Sequence, residues 1–316
     1  MSEPIAIMTK VILSAIILLL VVFSVLYIQF RGDITAARQR VLIGSTILTT
    51  EYGEIEYAVE GEGPAALLIH GAGGGYDQGM LIGKKALGDG FKFVSVSRFG
   101  YLRSPLIEEP SVENQAAIYA ALLDHLEVDQ AVILGASAGG PSALQFAYDY
   151  PERSSALVLL SAVTMFMGDE IPLSTKVINT IQKSDFGYWL VLKTFRSQFS
   201  EMVGIPRDLY ENLSPGDKQY ADDMLNFMHP MSPRRPGNIH EARIRPLSSE
   251  SMGKISVPTI ILHAKDDFLV TIDHADFVHD SIAHSELVSF DSGGHALIAE
   301  TGAITERIRD FLKRNQ

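Results

Sequence analysis

Near its start the chain has an uninterrupted uncharged and apolar run from Val11 to Phe30. Twenty residues of helix extend about 30 Å, which is the thickness of the hydrocarbon core of a bilayer. A cleaved signal peptide would have a shorter apolar region ending in small residues, whereas this run ends in large side chains. The pattern therefore predicts an uncleaved membrane anchor over residues 1–31, with a transmembrane span at 11–30 and a polar linker at 32–44.

Basic residues flank this run unevenly. Lys10 precedes it, whereas Arg31, Arg38 and Arg40 follow it closely. Basic residues beside a span favour the cytoplasmic side of the membrane. We therefore expect a single-pass membrane protein whose larger, C-terminal part faces the cytoplasm, with only a small excess of charge favouring this orientation.

Beyond residue 44 the pattern changes to short apolar runs separated by amphipathic stretches. Buried parallel strands have continuous runs of Val, Ile, Leu and Phe. Such runs lie at residues 64–70, 91–97, 130–134, 155–163, 257–264 and 285–290. An antiparallel pair is predicted before them at 41–50 and 53–63, and helices are predicted at 111–128 and 296–314. Strands that alternate with helices predict right-handed crossovers, and therefore an α/β fold whose mostly parallel sheet is covered on both faces.

The alternation stops between Val163 and Ser256, where prolines interrupt short helical pieces. We interpret residues 164–253 as a helical cap inserted into a core that comprises 45–163 and 254–316. Seven of the ten methionines lie in the cap, so its interior forms either a pliable pocket for an acyl chain or ordinary packing. A basic patch at 232–246 could meet anionic headgroups or a substrate carboxylate, or could close the cap against the core.

Composition excludes several classes of function. Acidic residues outnumber basic ones by 38 to 26, and an acidic surface repels phosphates, so no nucleic acid partner is expected. The chain has no cysteine, which excludes disulfides, thiolate nucleophiles and cysteine metal sites. Apolar residues make up 47% and charged residues 20% of the chain, as is typical of a globular protein.

The candidate nucleophile is Ser137, in the sequence Gly135-Ala-Ser-Ala-Gly139. A sharp turn from a strand into a helix forces the serine into a strained backbone conformation, which requires nearly side-chain-free residues two positions before and after it. The apolar strand before it and the helix after it are both recognisable in the sequence. This context favours a nucleophile elbow over an ordinary glycine-rich turn.

A serine hydroxyl needs a base, and the base needs a group that holds its tautomer. His295 follows the last predicted strand, at the sheet edge where all parallel strands end. Asp266 or Asp267 follows the preceding strand and could orient it. The chain order Ser, Asp, His is the one expected for a hydrolase with a nucleophile elbow.

A glycine-rich segment, Leu67–Gly75, could supply the oxyanion hole. A strand that ends in His-Gly followed by near-continuous glycine can turn peptide N–H groups toward the space above Ser137. Ala72 is the expected donor, with Gly73 next, and the Ala138 N–H completes the pair. A phosphate-binding loop is the weaker alternative, because the segment lacks the lysine of a P-loop.

No cofactor or metal is expected. His274, His279 and His284 recur every five residues, so each is turned about 140° from the last around a helix, whereas helical metal ligands share one face at i and i+4. A solvated acidic helix is the simpler interpretation.

Four ordered blocks of sequence resemble the α/β-hydrolase superfamily from about Thr46 to the end of the chain, fading within the cap. They are HGAGGG, SRFGYLRSP, LGASAGGPSALQFAYDYPER, and LHAKDDFLVTIDHA with SGGHALI. The resemblance implies the α/β-hydrolase fold. In relatives the triad acid lies three residues after a glycine. Ala264 occupies the position of that glycine here, so the resemblance implies that Asp267 rather than Asp266 is the triad acid. Relatives often have Asp at the position of Ser97 and Gly at that of Leu102, and this departure affects the substrate assignment.

These observations predict a membrane-anchored serine hydrolase that cleaves lipophilic carboxylic esters, in a layout similar to that of membrane-anchored monoacylglycerol lipases. The expected partners are the bilayer and a small-molecule ester or lipid. One alternative is a carbon–carbon bond hydrolase on the same triad, a group with similar sequence blocks. Another is a catalytically silent membrane-tethered binding protein.

Overall fold

The computed structural model describes residues 3–166, 168, 176–177 and 180–315 of the chain. Positions 167, 169–175 and 178–179 of the predicted cap lie outside the described residues. The elements up to the cap are helix α1 (Glu3–Ile43), strands β1 (Thr46–Thr50), β2 (Gly53–Glu60) and β3 (Ala65–Ile69), helix α2 (Tyr76–Leu87), strand β4 (Lys92–Val96), helix α3 (Val112–His125), strand β5 (Ala131–Ala136), helix α4 (Gly140–Asp149) and strand β6 (Ser154–Leu160).

The elements that follow β6 are helices first and the end of the sheet afterwards. They are helices α5 (Asp185–Thr194), α6 (Arg196–Met202), α7 (Arg207–Glu211), α8 (Pro215–Phe227), α9 (Arg235–Glu241) and α10 (Ser249–Met252), strand β7 (Thr259–Ala264), helix α11 (Asp273–Ser281), strand β8 (Ser285–Phe290) and helix α12 (Thr301–Arg314). Helices α5 to α9 form the described part of the cap, and their sequence has the interrupting prolines noted above.

One sheet of eight strands runs in the order β1-β2-β4-β3-β5-β6-β7-β8. The pairs β1–β2 and β2–β4 are antiparallel and the other neighbours are parallel, which confirms the predicted mostly parallel sheet. The direction of the crossovers reverses between β3 and β5. The carboxyl ends of these two strands therefore border the crevice where open α/β sheets bind ligands.

Both faces of the sheet are buried, as the continuous apolar runs predict. Along β3, Leu67 and Ile69 pack into one hydrophobic cluster, whereas Ala66 and Leu68 pack into the cluster on the opposite face. Helices α3, α4 and α11 contribute to the first cluster, and α2 and α12 contribute to the second. The strand ends are thereby held rigidly, which fixes the loops that follow them.

Two predicted boundaries differ from the structure. Helix α1 continues to Ile43 and takes up nearly all of the expected linker at 32–44, so the first strand begins at Thr46 rather than at residue 41. The helix is extended because buried residues recur every three to four positions and so share one helical face. These residues are Phe30, Ile34, Ala37 and Val41, which all pack against the rest of the molecule. The helix expected from residue 296 begins at Thr301, because Leu297 and Ala299 have positive φ angles of 49° and 71° and therefore cannot be α-helical.

The two halves of α1 have different surroundings. Ile7–Ile43 is long and apolar enough to cross a membrane by length and composition, and most side chains before Leu26 are exposed. The second half instead contacts cap helix α5, where Phe30 and Ile34 pack with Trp189. The continuous helix thus connects a candidate membrane span directly to the cap.

Candidate active site

Ser137 lies where β5 turns into a short 3₁₀ segment and then α4. Its φ angle is +50°, the strained value that a nucleophile elbow requires. A Cβ atom on Gly135 would lie 2.5 Å from the Ala143 Cβ, and one on Gly139 would lie 2.6 Å from the Ile69 carbonyl oxygen. Side chains at these two positions would collide with the helix or with β3, which is the physical reason for the small residues around Ser137.

His295 contacts Ser137 and Asp267 with its two ring nitrogens. Its Nε2 lies 2.8 Å from the Ser137 Oγ, and its Nδ1 lies 2.7 Å from the Asp267 Oδ2. An ionised carboxylate only accepts, so Nδ1 carries the proton and Nε2 is free to accept the serine proton. This arrangement can deprotonate the hydroxyl as it attacks an electrophile.

Asp267 is the carboxylate that contacts His295. It is buried, with only 3% of its surface exposed, and it accepts the N–H groups of Leu269 and Val270. Burial raises the pKa of the Asp267 carboxyl, but hydrogen bonds from His263 and His295 and the backbone outweigh it and hold the pKa well below its ordinary value. Asp267 is therefore an anion at neutral pH.

Asp266 has a different partner set. It accepts the backbone N–H groups of Gly293 and Gly294, at 3.3 and 2.8 Å, in the loop that leads to His295. The two neighbouring acidic residues therefore have different roles. Asp267 contacts the imidazole of His295, and Asp266 holds the loop that carries His295. Spacing alone left the choice between them open.

The glycine loop after β3 approaches Ser137 closely. A Cβ on Gly71 would lie 2.9 Å from the Ser137 Cβ. Within the described part of the chain the Ala72 N–H makes no hydrogen bond, whereas the Gly73 N–H donates to the Asn238 Oδ1 at 2.7 Å. Gly73, the second donor considered from the sequence, is therefore already occupied. Ala138 lies in the first turn after Ser137, where N–H groups lack helical partners.

Two further residues, His70 and Arg98, hold this loop and were missed by the sequence analysis. The His70 Nε2 accepts the Arg98 backbone N–H at 3.0 Å, so its Nδ1 carries the proton and donates to the Gly71 carbonyl at 2.7 Å. Burial, with the charge of Arg98, lowers the pKa of His70 well below its ordinary value and keeps the ring neutral. The Arg98 guanidinium donates to the carbonyls of Gly71 and Ala138. Arg98 lies in the SRFGYLRSP block, but only the fold brings it there.

A cavity of about 570 Å³ lies between the cap and the strand ends, with Ser137 and His295 in its lining. The lining is largely apolar and includes Met165, Met202, Met224 and Met228 of the predicted cap. Met231 and Met252 are instead fully buried in packing. Some of the cap methionines therefore line the pocket and others form ordinary packing, the two roles considered from the sequence.

The cap also contacts the loop that carries His295. The His295 N–H donates to the Gly204 carbonyl at 2.7 Å. A Cβ on Gly204 would lie 2.3 Å from the His295 Cβ, so only glycine allows this approach at a φ of +88°.

The other sequence features considered above have structural partners. The His274 Nδ1 accepts the backbone N–H groups of Thr164 and Met165. In the basic patch, fully buried Arg234 forms two hydrogen bonds with Asp77, at 2.9 and 2.7 Å. This pair joins the cap to the core, which is the simpler of the roles considered for the patch.

The sequence model of the α/β hydrolase fold family matches residues 64–301. The chain belongs to the α/β-hydrolase fold family. It is 28% identical over 279 residues to an uncharacterized hydrolase, YcgS, of Bacillus subtilis, an alignment that covers 81% of this chain and 95% of that protein. It is 24% identical to a 2-hydroxy-6-oxo-6-phenylhexa-2,4-dienoate hydrolase of Comamonas testosteroni, covering 82% of this chain and 91% of the relative.

Solved α/β-hydrolase structures agree with this assignment. An alpha/beta hydrolase fold protein from Nakamurella multipartita superposes with a TM-score of 0.72 at 26% identity, covering 86% of this chain and all of that one. A bacterial membrane phospholipase A superposes with a TM-score of 0.64 at 18% identity, covering 97% of this chain and 99% of that one. The second likeness is one of fold alone, and its coverage means that it extends over most of helix α1.

Proposed function

We propose that this α/β hydrolase is a membrane-anchored serine hydrolase that cleaves lipophilic carboxylic esters. The observation that carries the proposal is the continuous line of hydrogen bonds from Asp267 through His295 to Ser137, with His295 and Ser137 in the lining of a largely apolar cavity. The tautomer of His295 that these hydrogen bonds require, with its proton on Nδ1, is the one that nucleophilic catalysis by serine needs.

In the proposed reaction the Ser137 oxygen attacks the ester carbonyl while the His295 Nε2 takes its proton. The negative charge that forms on the carbonyl oxygen is held by the N–H groups of Ala72 and Ala138, an interaction worth about 3–4 kcal/mol per donor. The tetrahedral intermediate then collapses, and His295 gives its proton to the departing alcohol. Water activated by His295 hydrolyses the acyl-enzyme, which releases the acid and restores the Ser137 hydroxyl.

The preference for lipophilic esters rests on two features. The cavity is lined mainly by apolar side chains, including four methionines that can adapt to a flexible acyl chain. Helix α1 has the length and composition of a membrane span and continues into contact with the cap. We propose that residues 1–31 anchor the protein, that 164–253 form its cap, and that the core of 45–163 and 254–316 faces the cytoplasm.

A second candidate function is cleavage of a carbon–carbon bond. The similarity to the Comamonas testosteroni hydrolase over 82% of this chain favours it, since that enzyme's name describes a vinylogous diketone as substrate. Ester and diketone hydrolysis can use the same three side chains. The substrate that is turned over therefore distinguishes the two functions.

The first test is labelling of the membrane-embedded protein with a fluorophosphonate probe, which reacts with activated serines. We expect label on the peptide that contains Ser137, and no label in Ser137→Ala. Ser142→Ala is the matched control, because Ser142 lies one turn further along, is buried and does not contact His295. Unlabelled protein from the same preparation is then given esters and a vinylogous diketone in parallel.

Faster turnover of the esters is expected. Faster turnover of the diketone would replace the ester proposal by the carbon–carbon bond hydrolase. No labelling of protein shown to be folded by circular dichroism would contradict both enzymatic proposals and favour a tethered binding protein.

A further inference from the structure

Three side chains of the cap lie along the glycine loop after β3. Arg234, immediately before α9, and Asn238 and Glu241 within it are spaced by four and three residues. This spacing places them on one face of the helix. That face is directed at residues 71–74, the loop in which Ala72 is the proposed oxyanion donor.

Arg234 and Asn238 contact the loop directly, and Glu241 reaches it through Arg98. Arg234 donates from Nη1 to the Gly74 carbonyl at 2.7 Å, and Asn238 accepts the Gly73 N–H at 2.7 Å. Glu241 forms an ion pair with Arg98, whose Nη2 also donates to the Gly71 carbonyl at 3.1 Å. The contacts follow the order of the chain, from Gly74 back to Gly71.

These contacts fix the peptide groups on both sides of Ala72. The Gly71 carbonyl and the Ala72 N–H belong to one planar peptide group, so donors that hold the carbonyl also set the direction of the N–H. His70 and Arg98 hold that carbonyl from the core. The next peptide group, which contains the Gly73 N–H, is held by Asn238 from the cap.

Glu241 acts through Arg98. The Arg98 side chain is almost fully buried, with 4% of its surface exposed, and Glu241 is its anionic partner. The Tyr101 hydroxyl, which has a single proton to donate, lies within hydrogen-bond distance of both the Glu241 carboxylate and the Asn238 Oδ1 and so sits between the two cap residues. Without the carboxylate, the guanidinium would lose the contact that orients it toward the Gly71 and Ala138 carbonyls.

We infer that Asn238 and Glu241 are positioning residues for the oxyanion hole, so that the hole takes its active geometry only when the cap is seated on the core. The inference rests on the proposed serine hydrolase function. Neither side chain needs to touch the reacting atoms. Their effect is on the direction of the Ala72 N–H, which matters most when charge develops on the carbonyl oxygen.

The test compares Asn238→Ala and Glu241→Gln with the unaltered protein, using a short p-nitrophenyl ester. We expect kcat to fall about 10-fold to 100-fold, with KM changed by less than about threefold, because an oxyanion interaction acts in the transition state. Inhibition by a trifluoromethyl ketone, which forms an oxyanion on Ser137, should weaken in proportion to the loss of kcat/KM. Arg235→Gln is the control on the same helix, where the side chain is exposed, and it should leave kcat unchanged.

The possible failures are distinguishable. If the unaltered protein hydrolyses no ester and is not labelled at Ser137, the proposed function fails. If it is active but the two variants keep kcat and ketone affinity, the positioning role is wrong. A loss that appears only in KM, or only as a lower melting temperature, would mean that these residues hold the cap without affecting the oxyanion hole.

Discussion

At the scale of single residues, the candidate site depends on strain and burial at a few positions. Ser137 has a backbone conformation that costs energy, and it is maintained because glycines on either side allow the strand and helix to approach. The same site contains a buried anion, Asp267, and a neutral buried imidazole, His70. The surroundings keep each group in the protonation state that its contacts require.

His229, a cap residue that faces helix α1, is expected to make the free energy of unfolding depend on pH. Neither of its ring nitrogens has a hydrogen-bond partner within the described ranges. Burial lowers the pKa of His229 to about 4, against an ordinary value of 6.5, although the charge of Asp185 opposes this. The unfolded state therefore binds one more proton than the folded state between these two values. Stability is expected to fall as the pH falls from 6.5 to 4, by up to about 1.4 kcal/mol per pH unit from this residue.

The measurement is denaturant unfolding in detergent at a series of pH values between 7 and 4. His229→Gln should reduce the slope of the unfolding free energy against pH by the amount that corresponds to about one proton. It will not abolish the slope, because burial also lowers the pKa values of His70 and His274. His284→Gln, at an exposed position, is the control and should leave the slope unchanged. An unaltered slope in the His229 variant would contradict the assignment.

At the scale of elements, helix α1 and the cap behave as one unit. Asp33 accepts the Trp189 indole N–H at 2.8 Å, and Arg38 forms an ion pair with Asp185 of the cap at 3.2 Å. Arg40 donates to the His229 carbonyl and also pairs with Asp77, the carboxylate that Arg234 binds. The second half of α1 is therefore part of the folded domain and not a linker.

Two shortened chains test this division of α1. A chain that begins at Tyr27 should leave the membrane fraction, with kcat on a soluble ester within about twofold, because the contacts with the cap remain. A chain that begins at Ser45 should melt at least about 5 °C lower, because several buried apolar side chains and ion pairs are lost. The only tryptophan, Trp189, reports the difference, since it is buried against α1.

The fluorescence of Trp189 is expected to shift to longer wavelength in the chain that begins at Ser45 but not in the chain that begins at Tyr27. Equal melting temperatures and equal emission spectra for the two chains would show that residues 27–44 contribute nothing to the fold of the domain.

The sequence predicted the elements of the core better than the ends of α1 and α12. Continuous apolar runs mark buried strands unambiguously, because both faces of a parallel sheet are covered. The end of α1 was not predictable, because residues 32–44 are polar enough for a linker and their helical state depends on contacts with α5 and α2. The start of α12 depends on the positive φ angles of Leu297 and Ala299, which no sequence pattern indicates.

At the scale of the whole molecule, the cavity and the candidate membrane span are the basis for proposing a substrate that is delivered from a lipid phase. The cap contributes to the lining of the cavity that contains Ser137, and the cap contacts helix α1, whose first half is the candidate membrane span. The two features together therefore favour long-chain esters over acetyl esters.

A series of p-nitrophenyl esters of increasing acyl length tests this. The ratio kcat/KM should rise by up to about fourfold for each methylene that the cavity takes up, from about 0.8 kcal/mol per buried methylene, and then level off. The chain that begins at Tyr27 should show the same series in solution but should lose activity on esters held in vesicles. A preference for acetyl esters would contradict the lipid substrate and leave the hydrolase proposal intact.

The sequence by itself determined the α/β fold, the strained serine and the histidine at the carboxyl edge of the sheet, because these follow from local patterns of apolar and small residues. The spacing left Asp266 and Asp267 as candidates for the acid, and the family resemblance favoured Asp267. The sequence also indicated Ala72 as the leading oxyanion donor. Tertiary structure decided that Asp267 contacts His295 while Asp266 holds its loop, and that Gly73 is occupied by Asn238. Only the tertiary structure brings Arg98, Asn238 and Glu241 together at the glycine loop after β3. These contacts join residues up to 165 positions apart in the chain, and such contacts are decided by packing and by the pairing of buried polar groups.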